Sequence, residues 1–159
     1  TQRGKKSGAA MSGSSGILYE TKADRDQEAR VALLVANAWS LNLVRLPNLS
    51  EPCDYIMCEG SVDPKAIVLV EIKRRNNAHD KYDTFMLSCR KVDLLVSTAS
   101  ALKLHGSIVV EFTDGVYSIG AKRFQREGTV ERGGRTDRES VEIEDVYHIR
   151  HTQMRKVYP

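Results

Sequence analysis

The sequence predicts a small α/β domain in which a mixed central β-sheet is flanked by helices. The segment from Ala66 to Val70 is a continuous apolar run, which is typical of a strand covered on both faces. Segments with helical spacing lie before and after this run, and Asp114-Gly115 between two β-rich segments indicates a hairpin. A chain of 159 residues is long enough for one domain with a proper core.

The first predicted element is a helix over Asp24–Ser40. Asp24 can act as its N-cap, and Gln27 three residues later completes a capping-box-like pair. Apolar residues then recur at helical spacing as far as Trp39. The elements that follow are two strands, a long helix and the two strands of a hairpin, over Cys53–Cys58, Ala66–Lys73, Thr84–Leu104, Ser107–Phe112 and Val116–Ile119.

The lengths of the connections predict the strand directions. The linker Gly60–Lys65 is too short for a helical crossover, so the strands on either side of it are expected to be antiparallel neighbours. The long helix connects Ala66–Lys73 to Ser107–Phe112, which predicts a parallel pair with a right-handed crossover.

The two ends of the chain have a different composition from its middle. Residues 1–16 are rich in Gly, Ser and basic residues without an apolar period, which predicts a flexible tail ahead of a single domain at 17–159. If this tail is ordered, we expect a protein partner to hold it. Ala121–Ser140 is polar, contains Gly and is crowded with Arg, so it is predicted to be a loop or mobile flap. Val141–Ile149 is predicted to be a last edge strand.

Composition and charge exclude several classes of protein. The net charge of +3 permits a nucleic-acid partner without requiring one. No segment approaches the roughly 18 apolar residues of a membrane span, and no signal-peptide pattern is present, so a cytoplasmic protein without a membrane partner is expected. Three cysteines without a CxxC pair indicate reduced, buried thiols rather than disulfides or a zinc site.

The residues with the clearest chemical potential lie at the end of the central strand. Glu71 and Lys73 are two positions apart, so they project from the same face. Asp54 lies among apolar residues in the neighbouring predicted strand, and pairing of the strands would bring both carboxylates together. Two carboxylates with room for water suit Mg²⁺ or Mn²⁺. The alternative interpretation is that the three charges form ordinary salt bridges.

Asp54 followed by Glu71-x-Lys73 resembles the Asp…(Asp/Glu)-x-Lys signature of the PD-(D/E)xK nuclease superfamily, which includes restriction enzymes, resolvases and small phage endonucleases. The resemblance spans roughly Asp24 to Ile119, and the superfamily's core has a similar order of elements. The sequence departs from the common pattern at Cys53, because a proline often precedes the aspartate and here Pro52 lies one position earlier.

The resemblance implies a metal-dependent hydrolase that cleaves phosphodiester bonds in DNA, with RNA or branched DNA as other possible substrates. It implies Mg²⁺ or Mn²⁺ ligands at Asp54, Glu71 and the carbonyl of Ile72, and a nucleophilic water positioned by Lys73. Glu28 matches an acidic residue on the first helix that often adds a metal contact, although the helix dipole alone also favours a glutamate there. Many small nucleases of this type act as homodimers.

Lys91 is the second helical candidate, because at helical spacing it falls within an apolar stripe with Leu87, Leu94 and Leu95. A lysine facing the core is rare unless it reaches a functional cleft. Small nucleases of the superfamily often carry a Lys or Gln on this helix, directed at the site. Ser88 one turn earlier is expected to assist. The alternative is that Lys91 extends out to solvent.

A further set of basic and polar residues is expected to contact nucleic acid. Its members either follow the Glu71-x-Lys73 strand or lie in the Arg-rich stretch, where cations could track a phosphate backbone. They are Arg74, Arg75, Tyr82, Ser88, Lys122, Arg123 and Arg126. Two other functions stay open: a nuclease fold that binds nucleic acid or assembles without turnover, and an α/β interaction protein whose charges are structural.

Overall fold

A computed structural model describes residues 21–46, 53–135 and 142–159. Over these ranges the chain forms three α-helices, nine β-strands and one 3₁₀ turn at His151–Gln153. The helices are α1 (Lys22–Ala38), α2 (Cys89–Ala101) and α3 (Ala121–Glu127). The strands are β1 (Asn42–Arg45), β2 (Tyr55–Glu59), β3 (Lys65–Arg74), β4 (Thr84–Ser88), β5 (His105–Phe112), β6 (Gly115–Gly120), β7 (Thr129–Arg135), β8 (Glu142–Arg150) and β9 (Arg155–Tyr158).

The main sheet has six strands in the order β1-β2-β3-β5-β6-β9. β2 and β3 are antiparallel, β3 and β5 are parallel, and β5 and β6 form the hairpin at Asp114-Gly115. The predicted mixed sheet and these three pairings are therefore confirmed. At the turn Gly115 adopts a φ of +150°, and a Cβ there would lie 2.9 Å from Lys156 Cε, so the hairpin needs glycine at this position.

The two faces of the main sheet carry separate hydrophobic cores. On one face α1 packs its buried stripe, including Val31 and Val35, against Val70 and Ile72 of β3. On the other face α2 and α3 pack with residues such as Leu69 of β3. Because side chains alternate along a strand, Glu71 and Lys73 project from the same face as Leu69, towards α2.

The prediction of one helix over Thr84–Leu104 is wrong for its first five residues. Thr84–Ser88 is strand β4, and the helix begins only at Cys89. Phe85 and Leu87 are buried while Thr84 and Met86 are exposed, which is the alternation of a strand. The partner of this strand is β8, about 60 positions further along the chain, so the pairing has no local signature.

The predictions for the C-terminal third are also partly wrong. The expected loop at Ala121–Ser140 contains α3 and β7, because buried Ala121 and Phe124 anchor the helix on the core and β7 pairs with β8. The last predicted strand exists as β8, but it is the central strand of a second sheet, β4-β8-β7, and not an edge strand. Residues 136–141 lie outside the described ranges.

The start of α1 and the two edges of the main sheet also differ from the prediction. The N-cap of α1 is Thr21, whose hydroxyl accepts from the Asp24 amide, while Asp24 is the third helical residue of the capping box and not the cap itself. Strands β1 and β9 were not predicted. The expected tail at 1–16 lies outside the described residues. Among the helices that the structure describes, none is long and apolar enough to cross a membrane.

Candidate active site

Asp54 and Glu71 face each other across the pairing of β2 and β3. Tyr55 is the partner of Val70, so the preceding residue, Asp54, lies opposite Glu71 and shares its face of the sheet. The Asp54 amide donates to the Val70 carbonyl at 3.0 Å, and Asp54 Oδ2 accepts from the Ile72 amide at 2.9 Å. This bond to the backbone of β3 fixes the Asp54 carboxylate next to Glu71.

Glu71 is a buried carboxylate, and its surroundings oppose its ionisation. Burial is the largest influence and raises the pKa of Glu71, the nearby negative charge of Asp54 raises it further, and the cations Lys73 and Lys91 act in the opposite direction. The net direction is upward. The fold therefore holds two carboxylates together where water solvates them poorly, an arrangement that an additional cation would stabilise.

Lys73 is the nearest cation to this pair. Its Nζ lies 2.6 Å from Glu71 Oε1, and both side chains are largely shielded from solvent. The predicted convergence of Asp54, Glu71 and Lys73 at one end of the sheet is therefore present. The geometry also contains the salt bridge expected from the alternative interpretation.

Lys91 lies in the first turn of α2, where it interacts electrostatically with both Lys73 and Glu71. The positive charge of Lys73 is the main cause that lowers the pKa of Lys91, burial lowers it further, and the Glu71 carboxylate opposes both. The predicted apolar helical stripe around Lys91 is wrong in part, because Leu87 belongs to a strand and Leu94 is 36% exposed. Lys91 itself is exposed at the residue level, so only part of its side chain is shielded by the site.

Ser88 is buried, and its Oγ donates to Glu144 Oε2 at 2.8 Å. It precedes the first residue of α2, where no side-chain cap bond forms. This bond ties the start of α2 to β8. Ser88 therefore has a protein partner in this structure, which fits a role in holding the helix that carries Lys91.

Glu144 is a site residue that the sequence analysis missed. Its negative charge raises the pKa of Lys91 in opposition to Lys73, and it accepts from Ser88, so it lies beside the candidate site. Glu142 and Asp145 flank it in the sequence, and no local pattern distinguishes the three acids. Only the pairing of β8 with β4, which sets Val146 opposite Ser88, shows which acid approaches α2.

Glu28 is half-buried on α1, and α1 packs on the sheet face opposite to the one from which Glu71 and Lys73 project. A contact from Glu28 to the site would therefore pass around the end of the sheet. Its assignment as a metal ligand stays a prediction.

The predicted nucleic-acid contacts fall in different places. Arg74 lies on the α1 side, where its Nε donates to Glu111 Oε1 at 3.0 Å. Arg75 lies over the Phe85 ring, with its guanidinium carbon 4.9 Å from the ring centroid, on the same side as Lys73. Tyr82 is 59% exposed and lines a surface cavity together with Arg75.

The predicted basic residues of the Arg-rich stretch lie on α3 rather than on a loop. Lys122, Arg123 and Arg126 are all exposed along this helix. Arg123 Nε donates to Glu127 Oε2 at 2.9 Å, and Arg126 lies 3.6 Å from the same carboxylate. These pairs reduce the local positive charge, so α3 is a weaker electrostatic surface than the count of arginines suggested.

The donor set at the site fits a divalent cation. Asp54 and Glu71 supply hard carboxylate oxygens, which Mg²⁺ and Mn²⁺ prefer, and each carboxylate has lone pairs beyond the bonds described above. Burial also raises the pKa of the neighbouring Cys53 thiol to about 11, with the charges of Asp54 and Glu71 adding to the effect. A protonated thiol is a poor metal ligand, so the oxygen donors define this site.

A second group of ligand atoms lies at the β5–β6 turn, where His79, Asp80 and Asp114 approach within 4.8 Å of one another. The bonds within this group connect loop and hairpin: the His79 amide and ring both bond Asp114, and the ring stacks on Tyr117 at 4.3 Å between centroids. Side-chain and backbone bonds from His79 lower the pKa of Asp114. The group therefore has a structural role.

A mixed sheet with Asp54 and Glu71-x-Lys73 converging at one end is the arrangement of the PD-(D/E)xK nuclease superfamily. The sequence matches the family model of phage PDDEXK endonucleases, PDDEXK_14, over residues 17–157. Because the match covers most of the chain, the protein belongs to this family. A comparison with curated proteins gives no match.

Two of the solved structures to which this chain is similar illustrate the shared fold. One is Hjc, a Holliday junction resolvase from Archaeoglobus fulgidus, with a TM-score of 0.50 and 15% identity over 79% of this chain and 88% of that chain. The other is D212, a nuclease from a fusselovirus, with a TM-score of 0.52 and 13% identity over 88% of this chain and 89% of that chain. At such low identity the likeness shows the fold alone.

Proposed function

We propose that this protein is a divalent-metal-dependent endonuclease that hydrolyses phosphodiester bonds in DNA. The observation that carries the proposal is the convergence of Asp54, Glu71 and Lys73 at one end of the main sheet, with Glu71 buried and the Lys73 ammonium 2.6 Å from it. Membership of the phage PDDEXK endonuclease family supports the same reaction.

In this proposal Asp54, Glu71 and the carbonyl of Ile72 hold Mg²⁺ or Mn²⁺, with Glu28 contributing directly or through water. When bound, such a cation acidifies water and withdraws charge from a phosphate oxygen. The bond from the Ile72 amide keeps the Asp54 carboxylate in place before the ion arrives. Little rearrangement of the ligands would then be needed on binding.

The two lysines have separate roles in the proposal. Lys73 positions the attacking water and offsets negative charge on the scissile phosphate. Lys91 steadies the phosphate from the side of α2. The mutual repulsion that lowers the pKa of Lys91 indicates that the two ammonium groups lie near each other, and a phosphate between them would relieve it.

DNA is the main candidate substrate of the proposed nuclease. RNA and branched DNA are further candidate substrates, and each is tested in the same cleavage assay. Branched DNA is included because Hjc, which shares the fold, is a Holliday junction resolvase. A homodimer is also proposed, since two copies of the chain would place one site on each strand of a duplex.

The test is cleavage of circular single-stranded DNA and supercoiled double-stranded DNA with Mg²⁺ or Mn²⁺. Wild type is compared with Asp54→Ala and Lys73→Ala, and Lys65→Ala is the matched control because it removes an exposed lysine from the other end of β3. Circular dichroism checks that all variants fold. The proposal predicts nicking by wild type and by Lys65→Ala, and its loss in the other two.

The alternative function is a nuclease-fold module that binds nucleic acid or assembles without turnover. The closed Lys73–Glu71 pair is the observation that favours it, because a structural salt bridge would adopt the same geometry. Metal-independent DNA binding without cleavage of any circular, linear or branched substrate would support this alternative and overturn the proposed activity.

A further inference from the structure

A cavity of about 350 Å³ lies next to Arg75, two residues beyond Lys73 of the candidate active site. It is bounded by the segment that follows β3, by β4 and by β8, and its lining includes Arg75, Asn77, Tyr82, Thr84, Phe85 and His148. This volume is within the range of small-molecule sites, which begin at roughly 300 Å³. Every element around it belongs to the described part of the chain.

The cavity and the candidate site lie on the same face of the main sheet. Phe85 packs in the same core as Leu69, the β3 residue that shares a face with Glu71 and Lys73. Arg75 is two residues beyond Lys73, and its guanidinium covers the Phe85 ring at 4.9 Å. A nucleic-acid strand whose phosphate reached Lys73 would therefore pass the mouth of this cavity.

The walls combine flat rings with hydrogen-bonding groups. Phe85 and Phe112 are buried and lie edge-on with centroids 6.1 Å apart. The flat groups open to a ligand are therefore the half-buried Arg75 guanidinium over Phe85 and the Tyr82 ring, which is 59% exposed. Lys81 places its ammonium 5.3 Å from the centre of the Tyr82 ring, which orders a positive charge at the opening. Unpaired bases are held by stacking on such rings and on guanidinium planes.

The polar groups favour a base over a purely apolar ligand. Thr84 Oγ1 lies 3.0 Å from His148 Nδ1, so a hydroxyl and an imidazole occupy one wall. Asn77 Nδ2 donates to the Ala78 carbonyl at 2.8 Å, which leaves the second N–H and the amide oxygen of this lining side chain for the edge of a base. A bare phosphate would not need the rings, and an aliphatic chain would not need these polar groups.

We propose that this cavity receives one unpaired nucleobase of the DNA strand whose backbone lies at Asp54, Glu71 and Lys73. The inference rests on the proposed function, since it assumes that DNA reaches that site. If the cavity receives a base, the protein should prefer DNA that has an unpaired or readily extruded base next to the scissile phosphate. Extrusion costs least where the base is already unpaired, so such DNA should bind more tightly than a perfect duplex.

The experiment compares binding of two labelled duplexes, one fully paired and one with a single unpaired 2-aminopurine, by anisotropy and by 2-aminopurine emission in EDTA. Tyr82→Ala removes the exposed ring, Tyr82→Phe keeps it, and Tyr158→Ala is a matched control because it removes an exposed tyrosine from β9. Wild type should prefer the unpaired-base duplex. Tyr82→Ala should weaken its binding by roughly 5- to 100-fold, as expected for one lost stacking contact.

Tyr82→Phe and Tyr158→Ala should retain the preference and the change in emission. Equal binding of the two duplexes by wild type, with emission unaffected by Tyr82→Ala, would overturn the inference. If wild type nicks DNA but does not prefer the duplex with the unpaired base, the inference that the cavity receives a base is wrong and the proposed function stands. If it shows the preference without metal-dependent cleavage, the base cavity stands and the proposed turnover is wrong. Failure to bind any DNA, in EDTA or Mg²⁺, would contradict both.

Discussion

Two charged clusters lie at the same end of β3, on opposite faces of the main sheet. On the α1 face Glu111 accepts from Arg74 Nε at 3.0 Å with one carboxylate oxygen and from Arg30 Nη2 with the other. On the α2 face the buried Glu71 carboxylate has Lys73 at 2.6 Å and the Asp54 carboxylate beside it.

The difference lies in how completely each charge is satisfied. Each carboxylate oxygen of Glu111 is paired with a different guanidinium. The cluster therefore connects α1, β3 and β5, as a structural salt bridge does. In the other cluster two carboxylates lie together in a poorly solvated position, and burial raises the pKa of Glu71 despite the nearby lysines. The first cluster has the geometry of a structural ion pair, whereas the second is the one for which we propose a bound divalent cation.

The same isosteric substitution on the two faces should give the largest contrast. Glu71→Gln is expected to lower the rate of DNA nicking by roughly 10²–10³-fold, comparable to the loss of one preorganised electrostatic contact. Glu111→Gln should retain most of the rate. At a concentration 100 times Kd, Mg²⁺ should raise the unfolding free energy of wild type and Glu111→Gln by about 2.7 kcal/mol. Calorimetry should therefore show a higher unfolding temperature with Mg²⁺ for these two proteins but not for Glu71→Gln. Equal rates in the two variants would remove the functional distinction between the clusters.

The next effect concerns the second lysine of the functional cluster. Lys91→Ala is expected to lower the nicking rate by about 10- to 100-fold, the range for groups that support a metal site from outside its ligands. Arg90→Ala, which removes a positive charge from the adjacent position on α2, is the control and should have a clearly smaller effect. A profile of rate against Mg²⁺ concentration separates a weaker metal affinity from a slower maximal rate. If Arg90→Ala slows the reaction as much as Lys91→Ala, the assignment of Lys91 fails.

Much of this contrast could be predicted from the sequence. The apolar run of β3 indicates a central strand, and the short linker after β2 fixes an antiparallel pair, so Asp54 and Glu71 must meet. Strand alternation then separates Glu71 and Lys73 from Arg74.

The parts that could not be predicted depend on pairing over long distances. β4 looks like the first turn of a helix until β8, about 60 residues away, forms its partner strand. Glu144 reaches the site only through that pairing, and no spacing in the sequence relates it to Lys91. The Gly-rich segment at 129–135 forms β7 because β8 provides hydrogen bonds, against its own low strand propensity.

The stability of the metal-free protein should also differ between the two faces, by a smaller amount. Glu71→Gln in EDTA is expected to raise the unfolding free energy by about 0.5–2 kcal/mol, because functional sites commonly hold such unfavourable charge. Glu111→Gln should lower it by about 1 kcal/mol or less, since its partners are partly exposed. Urea denaturation at neutral pH measures both changes. A loss of stability in Glu71→Gln would mean that its pairing with Lys73 outweighs its burial and its repulsion from Asp54.

The smallest expected effect concerns the hydrogen bonds that attach the helix next to each cluster to the rest of the fold. α1 is tied to the sheet by Arg30, whereas α2 is tied through Asp93, which accepts from the Tyr147 hydroxyl at 2.7 Å and from Gln125 Nε2 at 2.9 Å. The bond to Asp93 is the main cause that raises the pKa of Tyr147 to about 12. Tyr147→Phe should cost about 1 kcal/mol or less at pH 8, because the group is largely solvated.

This cost should depend on pH in a defined direction. Because the pKa of Tyr147 is higher in the folded protein than the ordinary value of 10.0, the bond stabilises the fold fully below pH 10. Its contribution is lost as the pH rises through about 12, so the stability curves of wild type and Tyr147→Phe should converge there. Urea denaturation between pH 8 and the alkaline limit of folding measures the difference. No difference at pH 8 would show that Tyr147 stabilises the fold through the packing of its ring on Phe124, which Tyr147→Phe retains, and not through its bond to α2.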